Sequence, residues 1–417
     1  MAKYRGLILS AILMLFTGCG GGGGGSSDGA QATSAASSAP PPSTNIIATP
    51  APNVLAVTVN SGPTGNINLA YATVTVCAPG SSTNCQAIDN ILIDSGSTGL
   101  RVMSSVLSAS LSLPQQIDAG GNPVVECAQF ATGFAWGPVK LADVKIAGEQ
   151  AGSLAIQVIG DPGFASIPAN CASTGAAQNT VSSFGANGIL GVGAFRQDCG
   201  IACVVSASPG FYYVCPTSGC QTAARPLAEQ LHNPVAKFAI NNNGIILELP
   251  SIAAAGAASV SGALVYGIGT QPNNSLGSAS VLTLNPTTGQ LTTMYDDSVI
   301  TNSFFDSGSN ALFFQDSGIP ACTSATAAGF YCPASTQTLS AVIQGTNGTS
   351  VAVNFSVANA DALFSNNRGF TAFANLASPR FSFLGFDWGL PFYFGRNVFV
   401  AIDEASTPGG MGPYVAF

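Results

Sequence analysis

Two segments of this 417-residue chain read alike: ILIDSGSTGL at 91–100 and SFFDSGSNAL at 303–312. Each sets an aspartate directly after an apolar run and directly before Ser-Gly-Ser, with a leucine six residues beyond it. Asp94 and Asp306 are 212 positions apart, about half the length of the chain once its leader is set aside. Asp, Ser and Gly are common turn residues, so a single DSGS would mark only a turn closing a strand. Two copies with matching flanks constrain the fold far more. They call for one β unit built twice, with the halves packed about a pseudo-two-fold axis. Ending an apolar strand on a carboxylate is costly, and doing it twice implies that the two carboxylates are used together.

The rest of the chain fits that plan. NVLAVTV, LAYATVTV, AIDNILI, PVKLADVKI, LAIQVIG, KFAI and GIILELP precede the second copy. SVLTL, GQLTTMY, ALFF, AVIQG, VAVNF and NVFVAID lie around and beyond it. These are short alternating or apolar runs between turn clusters, which predicts an all-β protein with a few short helices. The clearest helix is PLAEQL (226–231), with Pro in its first turn. The 49 glycines and the many Ser, Thr and Asn suit short strands and turns.

Charge and histidine content exclude several functions. Only 7% of residues are charged, the net charge is −8, and 11 Lys and Arg leave few cations to meet phosphates, so no nucleic-acid partner is expected. His232 is the sole histidine and follows PLAEQL, where it reads as structural. A Ser-His-Asp or Cys-His mechanism would have to run through it. GANGILGVG (185–193) lacks the helix start and downstream acid of a dinucleotide site. No cofactor and no metal are expected.

The first 53 residues read as delivery rather than fold. GLILSAILMLF (6–16) follows Lys3 and Arg5 and is too short to span a bilayer comfortably. It ends in LFTGC, which resembles a bacterial lipoprotein signal with Cys19 as the lipidated residue; an ordinary signal peptide cut slightly later is the alternative. Gly20, rather than Asp, suggests by the same resemblance the outer membrane. Residues 20–53 are Gly, Ser, Ala and Pro almost without charge, a flexible tether reaching roughly 30 Å.

The ten remaining cysteines, in an exported chain, suggest up to five disulfides. Local pairings would be Cys77–Cys85, Cys322–Cys332, and Cys199–Cys220 around Cys203–Cys215. Spacing alone does not fix the connectivity.

Two carboxylates about 3 Å apart cannot both ionise easily, so one retains a proton over an acidic window. The ionised member can take a proton from water while its protonated neighbour polarises a carbonyl. Gly96 and Gly308 let backbone amides approach, Ser97 and Ser309 can bond the outer carboxylate oxygens, and Ser95 and Ser307 can bond across the junction.

These features resemble the pepsin-like aspartic peptidases over most of residues 54–417. ILIDSGSTGLRVMSS looks like the first catalytic loop and NSFFDSGSNALFF like the second. GILGVG (188–193) resembles the segment supporting the first loop, and FYFGRNVFVAID (392–403) its counterpart. WGPV, GTQPNN and GLPFYFGR, with the lipoprotein start, resemble more closely an uncharacterised family of bacterial lipoproteins. The resemblance implies two double-ψ-type β-barrel lobes, 54–250 and 251–417, with Asp94 and Asp306 as the catalytic pair. It also implies a peptide or protein substrate, no cofactor, a monomer, and membrane contact only through the N-terminal lipid.

By the same resemblance, ECAQFATGFAWGPVKL (126–141) is a flap over the cleft, with Phe130, Thr132, Gly133 and Trp136 as substrate-facing residues; for the aromatics a core role is the alternative. In the family a flap Tyr bonds a Trp after the first loop. Here Phe130 and Arg101 stand near those positions, so the flap must be organised differently, with Trp136 one candidate. The expected function is an envelope-tethered aspartic endopeptidase. The alternative is a non-proteolytic binding lipoprotein of the same fold.

Overall fold

The structure is a computed structural model that describes residues 45–379 and 385–417. The signal segment, Cys19, Gly20 and the tether through residue 44 lie outside the described residues. The body begins earlier than composition indicates. Asn45 donates to Leu249 O at 2.8 Å and Arg396 O at 3.1 Å, and the Ala48 amide donates to Glu248 Oε2 at 2.6 Å. Residues 45–53 are therefore docked rather than free tether, because their backbone finds partners that a flexible linker lacks.

The all-β expectation holds. The first half comprises β1 (Val54–Val59), β2 (Ala70–Cys77), β3 (Cys85–Asp94), β4 (Thr98–Met103), β5 (Val124–Phe130), β6 (Gly133–Ile146), β7 (Glu149–Ile159), β8 (Gly188–Val192) and β9 (Tyr212–Val214). β3 and β8 run parallel, pairing Ile91 with Gly188 through Asp94 with Gly191, while β4 lies antiparallel to β8. The second half repeats this around a seven-stranded sheet. Ser298–Asp306 runs parallel to Asp387–Gly389, with Phe304 opposite Asp387 and Asp306 opposite Gly389, and Leu312–Phe313 pairs antiparallel at Asp387. β1, Val260–Tyr266, Gly244–Leu249 and Arg396–Ala401 pair antiparallel in turn and join the halves in one continuous sheet.

This register corrects one expectation. The counterpart of GILGVG is FDWG (386–389), not FYFG (392–395), because only FDWG lies in register with the second aspartate. Glycine is required at both places. A Cβ on Gly191 would lie 2.6 Å from the Thr98 amide nitrogen, and one on Gly389 would lie 2.1 Å from Ala311 O. FYFG instead spans the end of a 3-10 turn, Leu390–Phe392, and the bend into Arg396–Ala401.

Other local expectations shift too. PLAEQL forms only a 3-10 turn at Leu227–Glu229, since Pro226 and Gln230 on either side are extended. KFAI forms no strand: a 3-10 turn occupies Val235–Lys237. The five disulfides are Cys77–Cys85, Cys127–Cys171, Cys199–Cys203, Cys215–Cys220 and Cys322–Cys332. The nested pairs Cys199–Cys220 and Cys203–Cys215 do not form; each cysteine bonds its nearer neighbour, Cys203 on the short helix Ile201–Val205 and Cys215 just after β9.

The core behind the two aspartates differs between halves. Ile91, Ile93, Leu100, Val102 and Leu190 fill the first. Phe305, Phe314, Phe355, Phe386 and Trp388 fill the second, with the Phe386 and Trp388 rings stacked 4.1 Å apart. Large buried aromatic and aliphatic surface on both sides gives the two loops a rigid footing.

Candidate active site

Each aspartate ends its strand and turns through Ser-Gly-Ser back along its own half. The Gly96 amide donates to Asp94 Oδ1 at 2.7 Å and Ser97 Oγ to Asp94 Oδ2 at 2.5 Å. The second loop repeats this: Gly308 N donates to Asp306 Oδ1 and Ser309 Oγ to Asp306 Oδ2, both at 2.8 Å. The inner serines tie the loops together. Ser95 N donates to Ser307 Oγ at 3.0 Å and Ser307 N to Ser95 Oγ at 2.9 Å. All eight residues expected to form and support the pair meet at this one place.

The two carboxyl groups approach each other closely across the junction of the loops. The glycines make that proximity possible: a Cβ on Gly96 would lie 2.7 Å from the Asp306 carboxyl, and one on Gly308 would lie 2.8 Å from Asp94 Oδ1. Asp94 is only 5% exposed. Burial and then the Asp306 charge push the Asp94 carboxyl well above the usual aspartate range, against the lowering effect of Ser97 and Gly96. The pair is thus built to hold one proton between two acids.

Two further residues complete the site. Asp387 occupies the register position that Ile189 holds in the first half, so a third carboxylate stands behind the second loop where the first has an aliphatic chain. Ser309 Oγ lies 2.8 Å from Asp387 Oδ2 as well as from Asp306 Oδ2. Tyr393, fully buried, hydrogen-bonds Ser95 Oγ at 2.7 Å. Asp387 carries no signal in sequence because its strand lacks the apolar-apolar-Gly pattern of GILGVG; Tyr393 lies inside FYFG, to which the resemblance assigns another role.

The hairpin of β5 and β6 carries the flap residues, and strand alternation divides them. Phe130 and Ala128 lie on one face, packed with Met103, Ala135 and Ile159, and Glu126 shares their register; Cys127, Phe134 and Trp136 lie on the other, packed with Cys171 and Tyr213. Phe130 is half-buried against Phe184, with its ring 6.0 Å from the Arg101 guanidinium carbon. Thr132 is exposed at the tip and accepts from Gln178 Nε2 at 2.7 Å. Trp136 does not face the cleft. It is 2% exposed, packs 5.0 Å from Tyr213 beside Cys127–Cys171, and donates its indole N–H to Phe164 O at 2.8 Å. Gly133 is buried at φ +155°, where a Cβ would lie 2.1 Å from Ala176 O, so its role is close packing. Arg101 ties this hairpin to the first loop instead: its guanidinium reaches Glu126 on β5 and Asp198.

Two cavities lie near the loops, and neither is lined by Asp94 or Asp306. A cavity of 130 Å³ borders Ser95, Gly96, Phe195, Gln290 and Phe304. An open groove of 450 Å³ begins at Asn310, one residue past Ser309, and runs between Ile67, Phe330, Phe364 and Phe370.

Comparison with known proteins agrees with this geometry at the level of fold. The structure resembles the crystal structure of an aspartic proteinase from Irpex lacteus, with a TM-score of 0.51 and 13% sequence identity over 87% of this chain and 96% of that one. The architecture is the two-lobed, pepsin-like β fold. No curated protein matches the sequence. The family described as "Protein of unknown function (DUF3443)" matches residues 49–417.

Proposed function

For this chain, which belongs to the DUF3443 family, we propose an aspartic-type endopeptidase, with Asp94 and Asp306 hydrolysing peptide bonds of an extended peptide or protein. The observation that carries the reading is the close approach of two carboxyl groups, each at the end of an apolar strand and each held by the same Gly N–H and Ser O–H pair.

In the singly protonated pair the ionised carboxylate removes a proton from water as its oxygen bonds the substrate carbonyl carbon. The protonated carboxyl gives its proton to the carbonyl oxygen, producing a gem-diol and returning the pair to one proton in total. Collapse re-forms the C=O bond and breaks the C–N bond, with a proton passing to the leaving amine. The Ser97 and Ser309 hydroxyls hold the outer oxygens, and the Ser95–Ser307 exchange keeps the loops from separating as charge moves. A dry aromatic footing under Asp306 adds rigidity.

The second part of the proposal is place. LFTGC and the 20–44 tether support export with lipidation at Cys19, a monomer held on the cell envelope, at the outer membrane. Labelled fatty-acid incorporation that disappears in Cys19→Ser supports the anchor; equal labelling of both overturns it.

The peptidase reading is tested by digesting a peptide library across about pH 3–7 with the wild type, Asp94→Asn and Asp306→Asn. Cleavage by the wild type with loss in both variants supports it. Absence of cleavage favours the alternative, a peptide- or protein-binding lipoprotein.

A further inference from the structure

At the base of the flap hairpin, two buried carboxyl groups face one guanidinium. Arg101 on β4 directs Nη2 to Glu126 Oε1 at 2.5 Å and to Asp198 Oδ2 at 3.2 Å, Nε to both Glu126 oxygens at 3.2 and 3.3 Å, and Nη1 to Thr98 O at 2.8 Å. Their side chains are 3%, 0% and 2% exposed. Thr98 directly follows Ser97, Glu126 lies on the flap strand β5, and Asp198 lies in the segment after β8. One side chain therefore ties the first loop to the flap.

Charge counting sets the state of this network. Glu126 Oε1 and Asp198 Oδ2 converge on the same Arg101 Nη2, at 2.5 and 3.2 Å, so one cation faces two buried acids and the cluster is neutral only if one acid carries a proton. Asp198 Oδ1 accepts from the Tyr212 hydroxyl at 2.7 Å, and that hydroxyl in turn accepts from the Leu231 amide at 2.7 Å. The charged or titratable groups acting most strongly on the pair are Arg101 from β4 and Tyr212 from β9, and buried His232 lies beside them, since its neighbour Leu231 accepts from the Asp198 amide and His232 itself pairs with Gln197. With one proton on the acid pair the buried cluster is neutral. Without it, two negative charges meet one positive charge away from water, a state that low polarity penalises heavily.

We propose that Arg101, Glu126 and Asp198 form a proton-dependent latch that positions the hairpin of β5 and β6 over the aspartate pair, closed while Glu126 and Asp198 hold one proton and loosened when that proton leaves. Tyr212 stays a donor throughout, because burial and the neighbouring acids raise its phenol well above the usual range. Burial, then the Glu126 charge, raises Asp198 likewise, so the latch holds at the acidic pH where a proton-sharing aspartate pair works. Flap closure and the reactive protonation state would then rise and fall over one pH window. Arg101→Lys would not substitute, since an ammonium cannot span Thr98 O and both acids with a planar fork.

The test follows amide hydrogen exchange of residues 124–137 in the full chain from about pH 4 to pH 8, corrected for the intrinsic pH dependence of exchange, with Trp136 fluorescence as a second reading. In the wild type, hairpin protection should fall about tenfold for each pKa unit by which the closed latch favours the proton. Amides of Val260–Tyr266 should stay unchanged. Asp198→Asn cannot ionise, so its hairpin should remain protected across the range; Glu126→Gln is the second variant, should Asp198→Asn not fold. A flat wild-type profile, an equal fall in the variant, or loss of protection throughout the molecule would each overturn the proposal. The readout needs no catalysis, so this inference fails or stands separately from the peptidase reading.

Discussion

Ser95 and Ser307 exchange hydrogen bonds across the junction of the two halves: each amide donates to the other's hydroxyl oxygen, at 3.0 and 2.9 Å. Each hydroxyl then donates to the strand opposite, Ser307 to Ile93 O at 2.9 Å and Ser95 to Phe305 O at 3.4 Å. Residues 212 positions apart thus hold the two aspartates at a fixed spacing, and four buried backbone groups depend on them.

Ser95→Ala and Ser307→Ala should each leave a buried amide without an acceptor, destabilising the protein by about 1–3 kcal/mol. The double variant should cost less than the two single costs added, because both act on one exchange. Denaturant titration of the four proteins checks this; strict additivity would contradict a reciprocal pair.

Stability should favour mild acid. Asp94 and Asp198 both have folded-state carboxyls raised above the ordinary value of 3.8. Below that value both folded and unfolded chains hold these protons, and the stabilisation is complete. As pH rises from there toward the folded-state values, the unfolded chain releases them first and the stabilisation is progressively lost. Unfolding midpoints measured against pH should fall through this window, and Asp94→Asn and Asp198→Asn should flatten the slope.

Ser309 stands between two carboxyl oxygens with a single hydrogen to give, whereas the Ser97 hydroxyl donates to Asp94. Ser309→Ala should therefore cost more stability than Ser97→Ala, by about 1 kcal/mol or more, since it removes a hydroxyl placed between half-buried Asp306 and buried Asp387. Adding Asp387→Ile, the first half's Ile189 at that register position, should recover part of the loss. Equal costs for the two serines, with no recovery, would count against an asymmetric pair.

Cys127–Cys171 closes the longest disulfide loop, 44 residues, and lies beneath Trp136 on the outer face of the flap hairpin. Replacing both cysteines with serine should cost about 4 kcal/mol by loop-closure entropy and alter Trp136 emission, whereas removing Cys199–Cys203, which spans 4 residues, should cost clearly less. Urea unfolding followed by fluorescence distinguishes the two.

What could be read from the sequence was what is written locally and written twice. An apolar strand, Asp-Ser-Gly-Ser and a following leucine specify strand, turn and return in a few residues, so the loops and the all-β class were legible. Asp387 was hidden because its strand replaces the first half's Ile189 with a carboxylate and so loses the apolar pattern. Arg101 was visible as a departure, but its partners lie 25 and 97 positions away, and no spacing links them. Trp136 was misassigned because alternation settles which flap residues face inward only once the register with β5 is known. Disulfide spacing failed at Cys199 to Cys220 because four cysteines on short turns permit nested and sequential pairings alike.

The central claim concerns one proton shared by Asp94 and Asp306, and the pH dependence of kcat/KM on a cleaved library peptide measures it most directly. The account predicts a bell in the acidic range, set by the two macroscopic ionisations of the pair, with activity lost by at least about a hundredfold in both Asp94→Asn and Asp306→Asn. A wild type that cleaves nothing across that range, or either variant cleaving as well as the wild type, would contradict it.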